Sequence, residues 1–407
     1  MVCVIGITAC FLFSAVFLCS HLFVASQKKI WKDEIIGLQE IVRGASYKDI
    51  LLHGAGKYGL GRQASPAPLD YIFVKKIDQL KTSVNYFSFP PRVYFRLWPI
   101  LVTLSAVWFI IICFMRNICK NYIDNYKSVY AIQVFLLICA CFLFLYDGYV
   151  YYYAIEMRPY ALWNSLWFIT GSLSLLMPYS SRLLIFFLTG LALSATGSIF
   201  QIISLACAYN IVAAIENKKL SLILKDNIKI FLFPSLISIY YCLRATNWHY
   251  ADPMWGTWQE FFEFWYANIK DSILLIGSLL LCFINKENRR YAVLPVTMLI
   301  LFLLGPAIYW ITRSKGMFFS HRHYMYYGLT DSMALLICIQ CMPNIIKDVS
   351  TRKILYIALA ATFVIAGRVA LGDKEIIARF HKSIPHVKIV LKRGIPYIED
   401  EAEKKYQ

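Results

Sequence analysis

Long apolar runs broken by short polar interruptions set the rhythm of the chain. Val129 to Tyr146 is almost entirely apolar, and apolar residues dominate again from Ala161 to Met177. Between them stands "YYYAIEMRPYALW", Tyr151 to Trp163, where a Glu, an Arg and a Pro interrupt the pattern. Runs of roughly 17 to 25 apolar residues match the length of a helix that crosses a bilayer. Such runs begin near Val2, Leu97, Val129, Pro159, Leu183, Ile199, Ile230, Ser272, Tyr291, Tyr327 and Ile354. The pattern predicts an all-α polytopic membrane protein with about eleven transmembrane helices. The stretch from Leu183 to Ala214 is the tightest fit. Its halves, parted by Ser194 to Ser198, are barely long enough to cross twice.

The first run, Val2 to Ala25, has no basic residues ahead of it and no obvious small-residue cleavage site, and reads as a retained helix. With the N-terminus inside, fourteen Lys and Arg fall in cytoplasmic short loops, among them Arg116, Lys219 and Arg290. Six fall in the opposite ones: Arg158, Arg244, Lys270, Arg313, Lys315 and Arg322. The excess on one side supports that orientation. Residues 1–371 then form a transmembrane module, with 27–96 as a long first extracytoplasmic loop and 372–407 as a polar tail.

The loop opens "WKDEIIGLQEIVRG". Ile35, Ile36, Leu38, Ile41 and Val42 share one helical face and Gln39, Glu40 and Arg43 the other, which predicts an amphipathic helix lying in the interface plane. Asp33 and Glu34 can be read simply as acidic residues at a helix N-terminus. The glycines from Gly54 to Gly61 are too irregular for a phosphate loop. Pro66 and Pro68 suggest a rigid extended segment, and "FSFPPRVYFRLW" returns the chain to the membrane with interfacial aromatics.

Composition fits this picture. Hydrophobic residues make up 59% and charged residues 16%, where a soluble domain carries about a quarter charged. The net charge of +17 would suggest nucleic acid in a soluble protein, but no basic-aromatic binding module is visible. Basic loops beside anionic lipid account for it. The 12 Cys lie mostly inside apolar runs, so no metal site or disulfide framework is legible.

Three stretches, taken in order, resemble one family. These are Asp33-Glu34 after the first run, "PAPLDY" at Pro66 to Tyr71 with "RLWPIL" at Arg96 to Leu101, and "EMRPYAL" at Glu156 to Leu162. "HRHYMYYGLTD", His321 to Asp331, is similar to a later segment of the same group. Together they resemble the bacterial GT-C glycosyltransferases, the dolichyl-phosphate-mannose mannosyltransferase-like group that includes the aminoarabinose transferases. The likeness runs from about Asp33 to Asp331. The family's Pro-Pro-Leu reads Pro66-Ala67-Pro68-Leu69 here, and "SATGSIF" carries no histidine.

The resemblance implies a GT-C type bundle in a bacterial inner membrane, with the active site facing the periplasm or exterior. It implies a donor sugar on an undecaprenyl-type polyprenyl phosphate, an acceptor hydroxyl on a glycan, lipid or protein, and no cofactor. By the same resemblance Asp33 is the catalytic carboxylate, with Glu34 beside it.

The chemistry agrees on general grounds. A lipid phosphate leaves without a general acid, so transfer needs one carboxylate base and cations to hold the departing phosphate. A single displacement of this kind inverts the anomeric carbon. Pro159 suits a first helical position, which places Glu156 and Arg158 just ahead of a helix N-terminus, a plausible phosphate site. Arg322 with His323 and, more weakly, Arg96 are further candidate phosphate contacts, and Glu156 could fix Arg158 or bind the sugar. The bland alternative is a set of interfacial charges that cap the spans. A lipid-linked glycan flippase or a glycan polymerase would also need outward cations, although no internal repeat of the transporter kind is visible.

Overall fold

The apolar runs fold as helices, and no strand occurs among the described residues of the computed structural model. Those residues are 2–28, 34, 37–53, 67–83, 91–120, 127–176, 181–244, 258–270, 273–314, 324 and 326–345. The helices are α1 (Val2–Gln27), the π-helical α2 (Gly37–Arg43), α3 (Tyr47–His53), α4 (Leu69–Ser83) and α5 (Pro91–Lys120). After them come α6 (Lys127–Tyr146), α7 (Gly148–Tyr153), α8 (Tyr160–Leu176), α9 (Arg182–Ser194) and α10 (Ser198–Ile215). The remainder are α11 (Leu220–Arg244), α12 (Trp258–Lys270), α13 (Ile273–Ile284), a 3-10 helix (Lys286–Ala292) that leads into α14 (Val293–Ser314), and α15 (Thr330–Ile345).

Among the described residues, five helical segments are long and apolar enough to cross a membrane: Val4–Ser26, Val93–Lys120, Val129–Tyr146, Ser198–Ile215 and Lys286–Ile311. Ten of the eleven expected runs coincide with a helix; the one from Ile354, like the tail, lies outside the described residues. The difference between ten and five is one of length and charge. α9 has 13 residues and α13 only 12, while α11 carries Lys225, Asp226 and Lys229 in its first half. The chain is therefore an all-α protein with several helices of membrane-crossing character.

α1 shows how an all-round apolar helix divides its faces. Cys10, Phe17 and Val24, seven residues apart, are buried, while Val4, Phe11 and Phe23 are more than 60% exposed. Large apolar side chains left outward in this way suit a lipid solvent rather than water. α8 is the opposite case. Every residue from Ala161 to Leu175 is buried, and the helix packs against α5, α9 and α15.

α2, α3 and α4 sit at one end of this bundle around a small core of their own. Leu38, Ile41 and Val42 pack there with Ile50, Tyr71, Val74 and Phe95, and Met157 completes it. The amphipathic segment expected to lie in the interface plane thus turns its apolar face to protein. α4 supplies a matching apolar face close by, and Arg43 forks onto Asp78 at 2.7 and 3.0 Å to close the pair. Tyr240 and Tyr241, on α11, donate their hydroxyls to the last carbonyls of α3, those of Leu52 and Leu51.

Candidate functional site

The polar interruption that divides two apolar runs folds as a tight connection. Asp147 accepts hydrogen bonds from the N–H groups of Tyr149 and Val150, both at 3.0 Å, and so caps α7. α7 ends after one and a half turns, and residues 154–159 form a compact turn before α8. The Trp163 N–H reaches the Pro159 carbonyl at 2.8 Å, so α8 starts within one residue of the expected proline.

This turn, the end of α1 and the start of α5 converge on four buried charges. Arg96 is 1% exposed and grips Glu34 with two prongs, Nη2 to Oε2 at 2.7 Å and Nε to Oε1 at 3.3 Å. Its remaining nitrogen, Nη1, donates to the carbonyls of Lys28 and Ala25 at the end of α1. Glu34 Oε1 also accepts the Met157 N–H at 2.9 Å. Lys28 Nζ donates to Glu156 Oε1 at 3.1 Å and lies 4.9 Å above the Tyr152 ring.

The two cations balance the two carboxylates, which is the condition for holding charge away from water. Burial alone would raise the Glu34 carboxyl. The Arg96 and Lys28 charges, with hydrogen bonds from Arg96 and the Met157 N–H, outweigh it and hold the group below the ordinary carboxylate range. Burial raises the Tyr152 phenol, and the Glu156 charge beside it adds to the rise, so it stays protonated. Glu156 keeps one oxygen in reserve: Oε2 is buried and makes no hydrogen bond.

A further buried carboxylate stands at the same end, outside this network. Asp70, on the first turn of α4, accepts the Trp98 indole N–H at 2.9 Å. Burial pushes its carboxyl up to about 6, against the opposing effect of that hydrogen bond. It belongs to "PAPLDY", but nothing in its local sequence signals burial.

Of the expected site residues, Glu34, Arg96 and Glu156 meet in the network, and Arg158 stands half-buried in the same turn. Asp33, Arg322 and His323 lie outside the described residues. Lys28 was missed. It reads locally as a flanking cation at a span end, and only the fold shows Glu156 waiting 128 residues away. Arg96, the weakest candidate by sequence, is the most heavily bonded side chain of the four.

What the arrangement can do follows from protonation. Glu34, paired and held ionised, does not suit a proton shuttle; it fixes the geometry of its neighbours. Glu156, with a free oxygen, can accept a hydrogen bond from a ligand. No group of three or more His, Cys, Asp or Glu placed to hold a metal ion occurs among the described residues. No protein-family model, characterised protein or solved structure matches the chain.

Proposed function

We propose that the protein is a GT-C type, inverting glycosyltransferase of the bacterial cytoplasmic membrane. It moves a sugar from a polyprenyl-phosphate donor to an acceptor hydroxyl on the outer face. One observation carries the reading. Glu34, Arg96 and Met157 come from the three stretches that resemble the GT-C family, and all three join in one buried hydrogen-bonded unit. Motifs that converge in this way behave as parts of a single site.

In this reading Asp33, next in the chain to Glu34, takes the acceptor proton as general base. Glu34 is a positioning residue, held by Arg96 and the Met157 N–H. Arg158, Arg322 and His323 neutralise the departing lipid phosphate, and Glu156 accepts a hydrogen bond from the sugar. The short-loop charge bias supports an N-terminus inside and the loop outside.

Reconstitution in nanodiscs tests the reading. Purified protein is given undecaprenyl-phosphate carrying radiolabelled hexose or aminopentose, with a cell-envelope glycolipid extract as acceptor. Label should move to the extract, and Asp33→Asn should reduce the rate by about 10²- to 10⁴-fold while the protein still folds. Retention of activity within about threefold would place the base elsewhere. Movement of intact lipid-linked sugar across the bilayer without transfer would favour the flippase alternative.

A further inference from the structure

α12 is too short to cross a bilayer, yet it packs on a helix that is long enough. Its inner face lies along α14, within the apolar segment Lys286–Ile311. Phe261 is fully buried and stacks on Tyr309, with ring centres 4.5 Å apart and planes 6° from parallel. Trp258 meets the same Tyr309 ring edge-on at 4.6 Å. Trp265 donates its indole N–H to the Phe302 carbonyl at 2.8 Å. Gly305 lets the helices come this close; a Cβ there would stand 2.9 Å from the Trp265 nitrogen. From the Trp258–Tyr309 pair to the Trp265–Phe302 pair both chains move seven residues, in opposite senses. α12 therefore runs antiparallel along about 10 Å of α14.

Outward, α12 shows two further faces. Trp258, Phe262 and Tyr266 follow one another at four-residue spacing and are 38 to 66% exposed. The Trp258 and Phe262 rings stack at 5.6 Å, so the row is continuous. Beside it, Gln259 and Glu263 are exposed, and Gln259 Nε2 donates to Glu263 Oε1 at 3.0 Å. One short helix thus meets protein on one side, bares an aromatic stripe on the next and a charged one beyond it.

A single exposed aromatic is ordinary on any surface, but three in one row form a patch that water does not favour. In hydrocarbon, the Glu263 charge would be the costly member. The boundary between headgroups and acyl chains satisfies both stripes, and Trp and Tyr are the residues that concentrate there. The row also adjoins a face of lipid character. Leu303 and Trp310, each next in the chain to a residue that α12 holds, are 76% and 62% exposed. On a segment of membrane-crossing length, such large outward side chains suit lipid.

We infer that α12 is an interfacial helix whose Trp258–Phe262–Tyr266 stripe docks on the lipid surface, at the boundary of headgroups and acyl chains. On its inner side Phe264 stands edge-on to Tyr149 of α7 at 6.4 Å, so the stripe sets the depth at which the α7 end of the bundle sits. The inference is independent of the sugar-transfer reading and holds whichever reaction the protein performs.

The test places the fluorescent amino acid Anap in the full chain instead of Phe262, Tyr266 or, as a control, Glu263. Each protein is reconstituted in phosphatidylcholine nanodiscs, with Gln259 as a second control position. Two quenchers report on each site: bromine on the acyl chains close to the headgroups, and iodide in the buffer. Acyl bromine should quench at 262 and 266 about twofold or more above 263, and iodide should show the reverse order. Both replaced aromatic side chains are exposed, and a melting temperature equal to wild type shows that each variant folds. If one fails to fold, the other carries the comparison. Iodide quenching at 262 and 266 as strong as at 263 would put the stripe in water and overturn the proposal. Equal bromine quenching at all three would overturn it too, because the whole helix would then lie in hydrocarbon. Protection of 262 and 266 from both quenchers would also overturn it, and would assign the stripe to a protein partner such as a second copy of the chain.

Discussion

Arg96 and Glu34, sixty-two residues apart in the chain, meet at 2.7 Å with neither side chain more than 1% exposed. Removing one partner of such a pair strands the other charge in a dry interior, which typically costs about 3–5 kcal/mol. Replacing both by apolar residues of similar volume is often neutral. Arg96→Met and Glu34→Leu should each destabilise the protein by about that amount, and the two together should recover most of the loss. Chemical denaturation of the singles and the double, in one detergent, checks it. Additive losses in the double would deny the coupling.

The same pair sets an acid limit. The Glu34 carboxyl lies below its ordinary value of 4.5 when folded, so its contribution is complete above 4.5. It is lost as pH falls further, through the folded value. Melting temperature should therefore drop more steeply below pH 4.5 in wild type than in the Arg96→Met/Glu34→Leu double. Parallel curves would show that other groups carry the acid transition.

Asp70 works in the opposite sense. Its carboxyl is raised from 3.8 to about 6, so the folded state binds the proton more tightly than the unfolded one. That stability is full below pH 3.8 and lost as pH rises through 6. Above 6 the buried charge is a liability of about 3 kcal/mol, from roughly two units at 1.36 kcal/mol each. An amide can still accept the Trp98 bond, so Asp70→Asn should stabilise the protein at pH 7.5 and change little at pH 4. A destabilised variant at both pH values would assign Asp70 a charge-dependent partner instead.

Arg158 distinguishes the phosphate role from an interfacial one. A guanidinium that grips phosphate through two prongs is poorly replaced by an ammonium. Arg158→Lys should weaken donor use by at least tenfold, read as transfer rate against donor concentration at equal folded protein. A fully active Lys variant would leave Arg158 only a snorkelling role.

The bundle was legible because its signals are local. In α1, α5 and α6 the apolar run, its length and its near freedom from charge all lie within one segment. The charged network was legible only in part. Glu34, Arg96 and Glu156 stood out as ionisable groups beside apolar runs, but Lys28 stood out as nothing more than a flank. Whether a cation is solvated or buried depends on a partner far along the chain, and no local pattern records it. α2 shows the same limit from the apolar side: its amphipathic face is plain in sequence, but lipid and α4 are equally good partners for Leu38 and Ile41. The hydrogen bond from the Trp163 indole to Gln201, at 2.7 Å, had no sequence signal at all, since a Gln in an apolar helix looks the same whether or not an indole meets it.

The two ends of the first loop hold one another without relying on the chain between them. Arg43 and the Val42 carbonyl, upstream, bind Asp78 and Lys75, downstream, while Tyr240 and Tyr241 fasten α3 from a third helix. A cut anywhere in 54–66 would therefore leave two fragments that stay clamped together. Expressed from separate genes, an upstream fragment carrying α1 to α3 should on this ground co-purify with the rest, docking as a subunit would.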